Sequence, residues 1–152
     1  MYKHKSTLEK IREVLIQYDS LETMCDIATC MLIELVPNIE MIAGEVKTDK
    51  KRNHVFAYDT KEKYYIDITS EQFGFPPCFC SQDSAEFEKL GYIIPPTFHA
   101  WNGAFQMFEK LKQRPVLIHE GKEITMAQLL SEIQKKKKTP KRWNLFGTRR
   151  KR

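Results

Sequence analysis

An α+β fold, with one helix packed on a small antiparallel sheet, is predicted by three observations. Two segments of helical period precede Pro37. Three short β-type segments follow, joined by polar links of hairpin length. The chain has 152 residues, 41% of them apolar, enough for one domain with a single core.

The elements follow in order. Ser6-Thr-Leu-Glu9 has the form of a capping box. Leu8, Ile11, Val14, Leu15 and Tyr18 then recur at helical spacing, which predicts a helix from about Thr7 to Tyr18. Asp19-Ser20 breaks it. Thr23 is placed to cap the next helix, with Asp26 three residues on. That helix runs to Pro37-Asn38 and is apolar nearly all round from Ala28 to Ile33, as expected of a helix in the middle of a domain. Met41–Lys47, His54–Tyr58 and Tyr64–Thr69 read as strands of an antiparallel meander.

Beyond residue 70 the pattern weakens. Phe73-Gly-Phe-Pro-Pro-Cys-Phe-Cys80 has two prolines and no periodicity, and reads as a loop. Ser84–Leu90 suits a short helix and Tyr92–Ile94 a short strand before Pro95-Pro96. Phe98–Lys112 has Trp101, Phe105, Phe108 and Leu111 on one helical face. Val116–His119 and Lys122–Ile124 flank Glu120-Gly121 as a hairpin. Thr125-Met-Ala-Gln128 is a second capping box, opening a helix to about Gln134. There is no internal repeat.

Charge divides the chain in two. Residues 135–152 hold ten Lys/Arg and no Asp/Glu. The rest keeps 15 of the 25 basic side chains against all 20 acidic ones, a net of −5. An acidic domain over residues 1–134 therefore carries a basic tail over 135–152, whose composition predicts solvated disorder. Lys135, Lys136, Lys137, Lys138, Lys141, Arg142, Arg149, Arg150, Lys151 and Arg152 would meet an anionic nucleic acid or membrane, with Trp143 stacking or inserting.

No apolar run reaches the roughly 18–20 residues of a membrane span. The N-terminus lacks the apolar stretch of a secretory signal. The expectation is a cytoplasmic chain; delivery to a host or target cell without a cleaved signal is the alternative. Cys25, Cys30, Cys78 and Cys80 are then expected as thiols.

Three residues carry the functional reading. Cys25 stands near the start of the second helix, where free N–H groups and the helix dipole favour an anion. A thiolate is the reactive form of cysteine. Cys30 lies more than a turn deeper, where a thiol packs as a small apolar group. His54 opens a strand. Asp67, between Ile66 and Ile68 on the next strand, needs a partner, because a buried unpaired charge is costly. A histidine one strand away is a ready one. Cys25, His54 and Asp67 are thus the parts of an activated thiol nucleophile. The plainer reading is a structural cysteine, an edge histidine and an aspartate capping the turn at Thr69-Ser70.

Cys25-Asp-Ile-Ala28-Thr29 resembles the Cys-x-x-Ala-Ser/Thr start of the nucleophile helix in papain-like and transglutaminase-like thiol enzymes, notably the bacterial papain-fold toxin domains. Ala43-Gly44-Glu45-Val46 is similar to the glycine-containing strand that follows in that group. His54-Val55-Phe56 is similar to its His-x-Trp or His-x-Phe strand. Ile66-Asp67-Ile68-Thr69-Ser70-Glu71-Gln72-Phe73 resembles its Ile-Asp-x-Thr-x-x-Gln-Phe pattern at every fixed position. The resemblance spans about residues 22–75. It departs at Thr23, where many relatives have glycine, and at Phe56, often tryptophan.

The resemblance implies a papain-like or transglutaminase-like core and a Cys-His-Asp triad acting on amide bonds in proteins or peptides. Cys25 would attack the acyl carbon, His54 would carry the proton, and Asp67 would orient His54. The Cys25 backbone N–H would meet the oxyanion, with Gln72 helping to hold the site. Protease, deamidase and transglutaminase-like outcomes share the thioester step. The resemblance also implies an effector acting on host or competitor proteins. No cofactor is implied.

Other constellations are thinner. Cys78-Phe-Cys80 offers two thiolates, and tetrahedral zinc needs two more ligands from Cys30, His99 or His119. No metal site is assigned. His99, after two prolines, reads as a capping or packing residue. A non-catalytic binding module docking through the tail, and an inactive relative with misaligned residues, are the competing readings of the whole chain.

Overall fold

A five-stranded antiparallel sheet is the frame on which everything else is placed. The computed structural model describes residues 1–18, 21–48, 51–96 and 109–138. Helices α1 (Lys5–Ile16) and α2 (Cys25–Leu35) come first. Strands β1 (Ile39–Lys47), β2 (Lys51–Asp59) and β3 (Tyr64–Asp67) form the meander, and a 3-10 turn spans Ser70–Phe73. Then come β4 (Phe79–Ser81), α3 (Ser84–Leu90) and β5 (Tyr92–Ile93). Residues 109–113 are helical and are labelled α4. The hairpin β6 (Pro115–His119) and β7 (Lys122–Thr125) leads into α5 (Met126–Lys138). The class is mixed α+β, with the large sheet in the order β4-β3-β2-β1-β5.

Register sorts the strand residues onto two faces. Met41 opposes Ala57 and Ala43 opposes Val55, while Ile42 opposes Phe56 and Gly44 opposes His54. The face of Met41, Ala57 and Ile66 packs under α1, α2 and α5, through Leu8, Ile11, Leu15, Met31, Leu32 and Leu129. Each such fully buried side chain contributes roughly 1.5–3 kcal/mol. The opposite face carries Ile42, Val46 and Phe56, closed by Phe87 of α3 and Tyr92 of β5.

Gly44 is required where it stands. A Cβ there would meet the Ile93 carbonyl oxygen and the Phe56 ring, each at 2.8 Å. Only glycine lets β5 and the aromatic ring close on β1 at this point.

Several expected boundaries shift. The Ser6–Glu9 box does not form: α1 starts at Lys5, and Thr7 and Leu8 donate to the His4 carbonyl instead. Tyr2, buried with its hydroxyl on Asp59, draws the chain in before Ser6. Thr23 does not cap α2, because it takes φ 71°, and Cys25 becomes the first helical residue. The loop expected over residues 73–80 contains β4, which pairs with β3 in the register Asp67↔Phe79 and Ile66↔Cys80. The second capping box does form: Thr125 N–H donates to Gln128 Oε1 at 2.7 Å, and Gln128 N–H to Thr125 Oγ1 at 3.3 Å.

Helix α5 continues through Lys138, past the tail boundary expected at 134. Lys141, Arg142, Trp143, Arg149, Arg150, Lys151 and Arg152 lie outside the described residues, as do His99, Trp101, Phe105 and Phe108 of the expected 98–112 helix. Among the described residues, no helix is long and apolar enough to cross a membrane.

Candidate active site

Strand β2 delivers His54 to the aromatic face of the sheet. Its ring meets Phe73 edge-on at 4.8 Å and Tyr92 at 6.1 Å, and lies nearly parallel to Phe56. Only 3% of the residue is exposed, so its polar atoms need protein partners. Nε2 has one: Asp67 Oδ2, at 2.7 Å and equally buried.

Asp67 ends β3, and both of its oxygens are occupied. Oδ2 also accepts from the Tyr92 hydroxyl at 2.5 Å. Oδ1 accepts from Thr69 N–H at 2.9 Å and from Thr69 Oγ1 at 3.1 Å. The turn-capping reading and the histidine-pairing reading of Asp67 therefore both hold, one on each oxygen. Gln72 donates through Nε2 to Thr69 Oγ1 at 3.0 Å. It reaches the carboxylate through that hydroxyl and makes no direct bond to His54.

Cys25, half-exposed at the first position of α2, lines an open pocket of about 480 Å³ with His54. Ala43, Gly44, Glu45, Asn53, Val55, Ile93 and Pro95 complete its wall. The thiol is a hydrogen-bonding and electrostatic neighbour of the imidazole. Because Nε2 is taken by Asp67, Nδ1 is the ring nitrogen left for it.

Burial is the largest single influence on His54 and disfavours its charged form, but the hydrogen bond to Asp67, the strongest opposing contribution, works against it. The hydrogen bond to Cys25 and the electrostatic influence of both groups add, and together these outweigh burial, so the ring is pushed up to about 9. Burial, followed by the charge of Asp67, pushes the Tyr92 phenol upward, so it remains a donor to the carboxylate.

The other thiols are placed differently. Cys30 is fully buried in α2, and that burial pushes it up to about 12. Cys78 is buried, is likewise pushed up to about 12, and directs its sulfur toward the Ile68 carbonyl at 3.9 Å. Burial raises the half-buried Cys80 as well. All four cysteines are free thiols. His119 binds the Tyr18 carbonyl through Nδ1 at 2.9 Å, and His4 packs edge-on against Tyr2. Among the described residues, no group of three or more His, Cys, Asp or Glu is arranged to hold a metal ion.

One contributor went unread in the sequence, and a second was read only as part of a turn. Tyr92 reaches Asp67 from a two-residue strand 25 positions away, and no spacing rule announces that contact. Thr69 stood inside the Ile-Asp-x-Thr pattern, but its double bond to Asp67 depends on the turn into Ser70–Phe73. Compared with known proteins, the chain matches no protein-family model, no curated protein and no solved structure.

Proposed function

We propose that this chain is a thiol enzyme of the papain-like or transglutaminase-like kind, transferring an acyl group from an amide bond of a protein or peptide. The observation that carries the reading is the buried His54–Asp67 pair, 2.7 Å apart, with the Cys25 thiol as the next neighbour of the ring in an open pocket. A buried ion pair is weak evidence for stability, since its desolvation offsets its attraction. One placed beside a solvent-accessible thiol at a helix start has a chemical use.

The steps follow from the groups present. With its proton passed to His54, the Cys25 sulfur adds to the amide carbon, and the Cys25 N–H is available to the oxyanion. His54 passes a proton to the leaving nitrogen as the C–N bond breaks, which leaves a thioester on Cys25. Water or an amine then attacks the thioester, gives up a proton to His54 and releases the Cys25 sulfur as a thiolate, which restores the pair with its proton on His54. Asp67 holds the imidazole in orientation and favours its charged form. Water as the second nucleophile gives hydrolysis or deamidation, and an amine gives a cross-link.

Mass spectrometry of candidate proteins, incubated with wild type and with Cys25→Ala, tests the reading. The expected result is a cleavage, a deamidation or a cross-link that wild type makes and the variant does not. Identical products from both proteins, together with alkylation of Cys25 at a rate indifferent to His54→Ala, would defeat it.

A further inference from the structure

Strand β5 covers only a short part of β1. The two pair at Glu45↔Ile93 and Val46↔Tyr92. Lys47 N–H donates to the Gly91 carbonyl at 2.8 Å, so the main-chain groups of Lys47 face β5. In an antiparallel ladder that direction alternates, so those of Glu45 and Ala43 face the same way. Those of Ile42, Gly44 and Val46 face β2. Continuing the β1–β5 register would place Pro95 opposite Ala43. Proline has no N–H to donate, and the strand has already ended at Ile93. The two chains fork at this point, and the fork opens into the pocket that Cys25 and His54 share. Ala43 is exposed and lines that pocket together with Pro95.

We propose that the β1 edge at Ala43 is a substrate-docking edge, which takes an extended polypeptide segment as an added strand beside Cys25. The inference rests on the thiol-enzyme reading for what happens next, but the edge itself stands on the ladder geometry. The Ala43 N–H and C=O offer one donor and one acceptor to a peptide backbone, a sequence-tolerant form of recognition. An unpaired strand edge is ordinarily guarded by charge, by proline on the edge strand itself or by a covering element. Among the described residues nothing pairs with Ala43 on this side: the residue presenting the edge is a small alanine, and the proline stands on the opposite arm, where it offers no N–H. A segment seated there would carry its backbone past the Cys25 thiol. The substrate class is accordingly an extended stretch of polypeptide, rather than a free small amide or the face of a folded helix.

Ala43→Pro is the direct test. It removes the N–H that faces the fork and leaves the β1–β2 ladder intact, because Ala43 does not bond toward β2. Ala43→Val keeps the N–H and controls for bulk. The probes are a randomised pool of capped tripeptidyl chloromethyl ketones and, as the small electrophile, chloroacetone. Labelling rates at Cys25 are read by mass spectrometry on the full chain. Wild type and Ala43→Val should label faster with the peptide pool. Ala43→Pro should lose about tenfold of that peptide rate, the worth of one main-chain hydrogen bond, with the chloroacetone rate unchanged. Peptide rates equal in wild type and Ala43→Pro, or a parallel fall with both reagents, would overturn the edge.

Amide hydrogen exchange at Ala43 separates the two readings. Slower exchange when a pool of unreactive capped tripeptides is added supports the edge even if Cys25 labels with neither reagent, a result that defeats the thiol reading alone. Exchange unaffected by the pool overturns the edge.

Discussion

The two faces of the five-stranded sheet are made of different materials. The helix-covered face is mainly aliphatic: Leu8, Ile11, Leu15, Met31, Leu32, Leu129 and Ile133 are buried there around Met41, Ala57 and Ile66, with Tyr2 at its margin. The other face is aromatic, with Phe56, Phe87 and Tyr92 fully or nearly buried and Phe73, Phe75 and Phe79 packed against them. Only the aromatic face holds the buried His54–Asp67 pair. The difference separates two tasks. The aliphatic face supplies stabilisation that depends chiefly on volume, and its one buried carboxylate among the described residues, Asp59, is held by the Tyr2 hydroxyl away from Cys25. The aromatic face commits part of its burial to the His54–Asp67 pair, next to Cys25. Aromatic rings suit that second task, since they exclude water while Tyr92 still offers a hydroxyl.

The sharpest way to separate the faces is through activity. Cys25→Ala should lower amide turnover by more than about 10³-fold, with an unfolding midpoint close to wild type, since Cys25 is half-exposed. Next in size is a pair of truncations, one on each face. Asp67→Ala leaves His54 buried without its partner and should cost about 3–5 kcal/mol. Leu32→Ala should cost about 2–5 kcal/mol through a cavity. Denaturant melts would give similar losses, but only Asp67→Ala should also slow Cys25 alkylation. If Leu32→Ala slowed alkylation as much, the division between the faces would fail.

A pH series draws the same line. His54 is raised from its usual value of about 6.5 to about 9 in the folded chain. Its contribution to stability is therefore fully present below about pH 6.5 and is lost as pH rises through about 9. Turnover should fall along the same alkaline limb, where the proton needed by the leaving group is gone. Unfolding measured from pH 6 to pH 10 should show this loss in wild type and lack it in His54→Phe. The smallest effect belongs to Gln72→Ala, which removes one hydrogen bond to Thr69. About 0.5–1.5 kcal/mol is expected in denaturant melts, with a modest drop in turnover as the support of Asp67 loosens.

Much of the frame was legible because it rests on local signals. The meander, α3, the β6–β7 hairpin and the Thr125 box follow from alternation, turn residues and a reciprocal cap. The failures were failures of context. Ser6 and Thr23 have the chemistry of caps, but the packing of Tyr2 and a left-handed backbone at Thr23 moved the helix starts. Strand β4 was hidden because Phe79–Ser81 is too short for a period and pairs only after the chain has turned at Pro76-Pro77. For the site, Cys25, His54 and Asp67 stood out as residue types in a suitable order, and the structure pairs the last two directly. Tyr92 stayed invisible, because its role exists only once β5 lies beside β1.

Gly44 extends this to a residue with no side chain at all. It faces His54 across the β1–β2 ladder, and the space a methyl group would need is already taken by the Ile93 carbonyl and the Phe56 ring. Any substituent there acts as a wedge, pushing β5 outward and withdrawing the Tyr92 hydroxyl from Asp67. The alignment of the imidazole and the carboxylate is thus gauged by an absence. In a library of random variants, position 44 should be among the least tolerant in the chain, although it carries no group that could take part in any reaction.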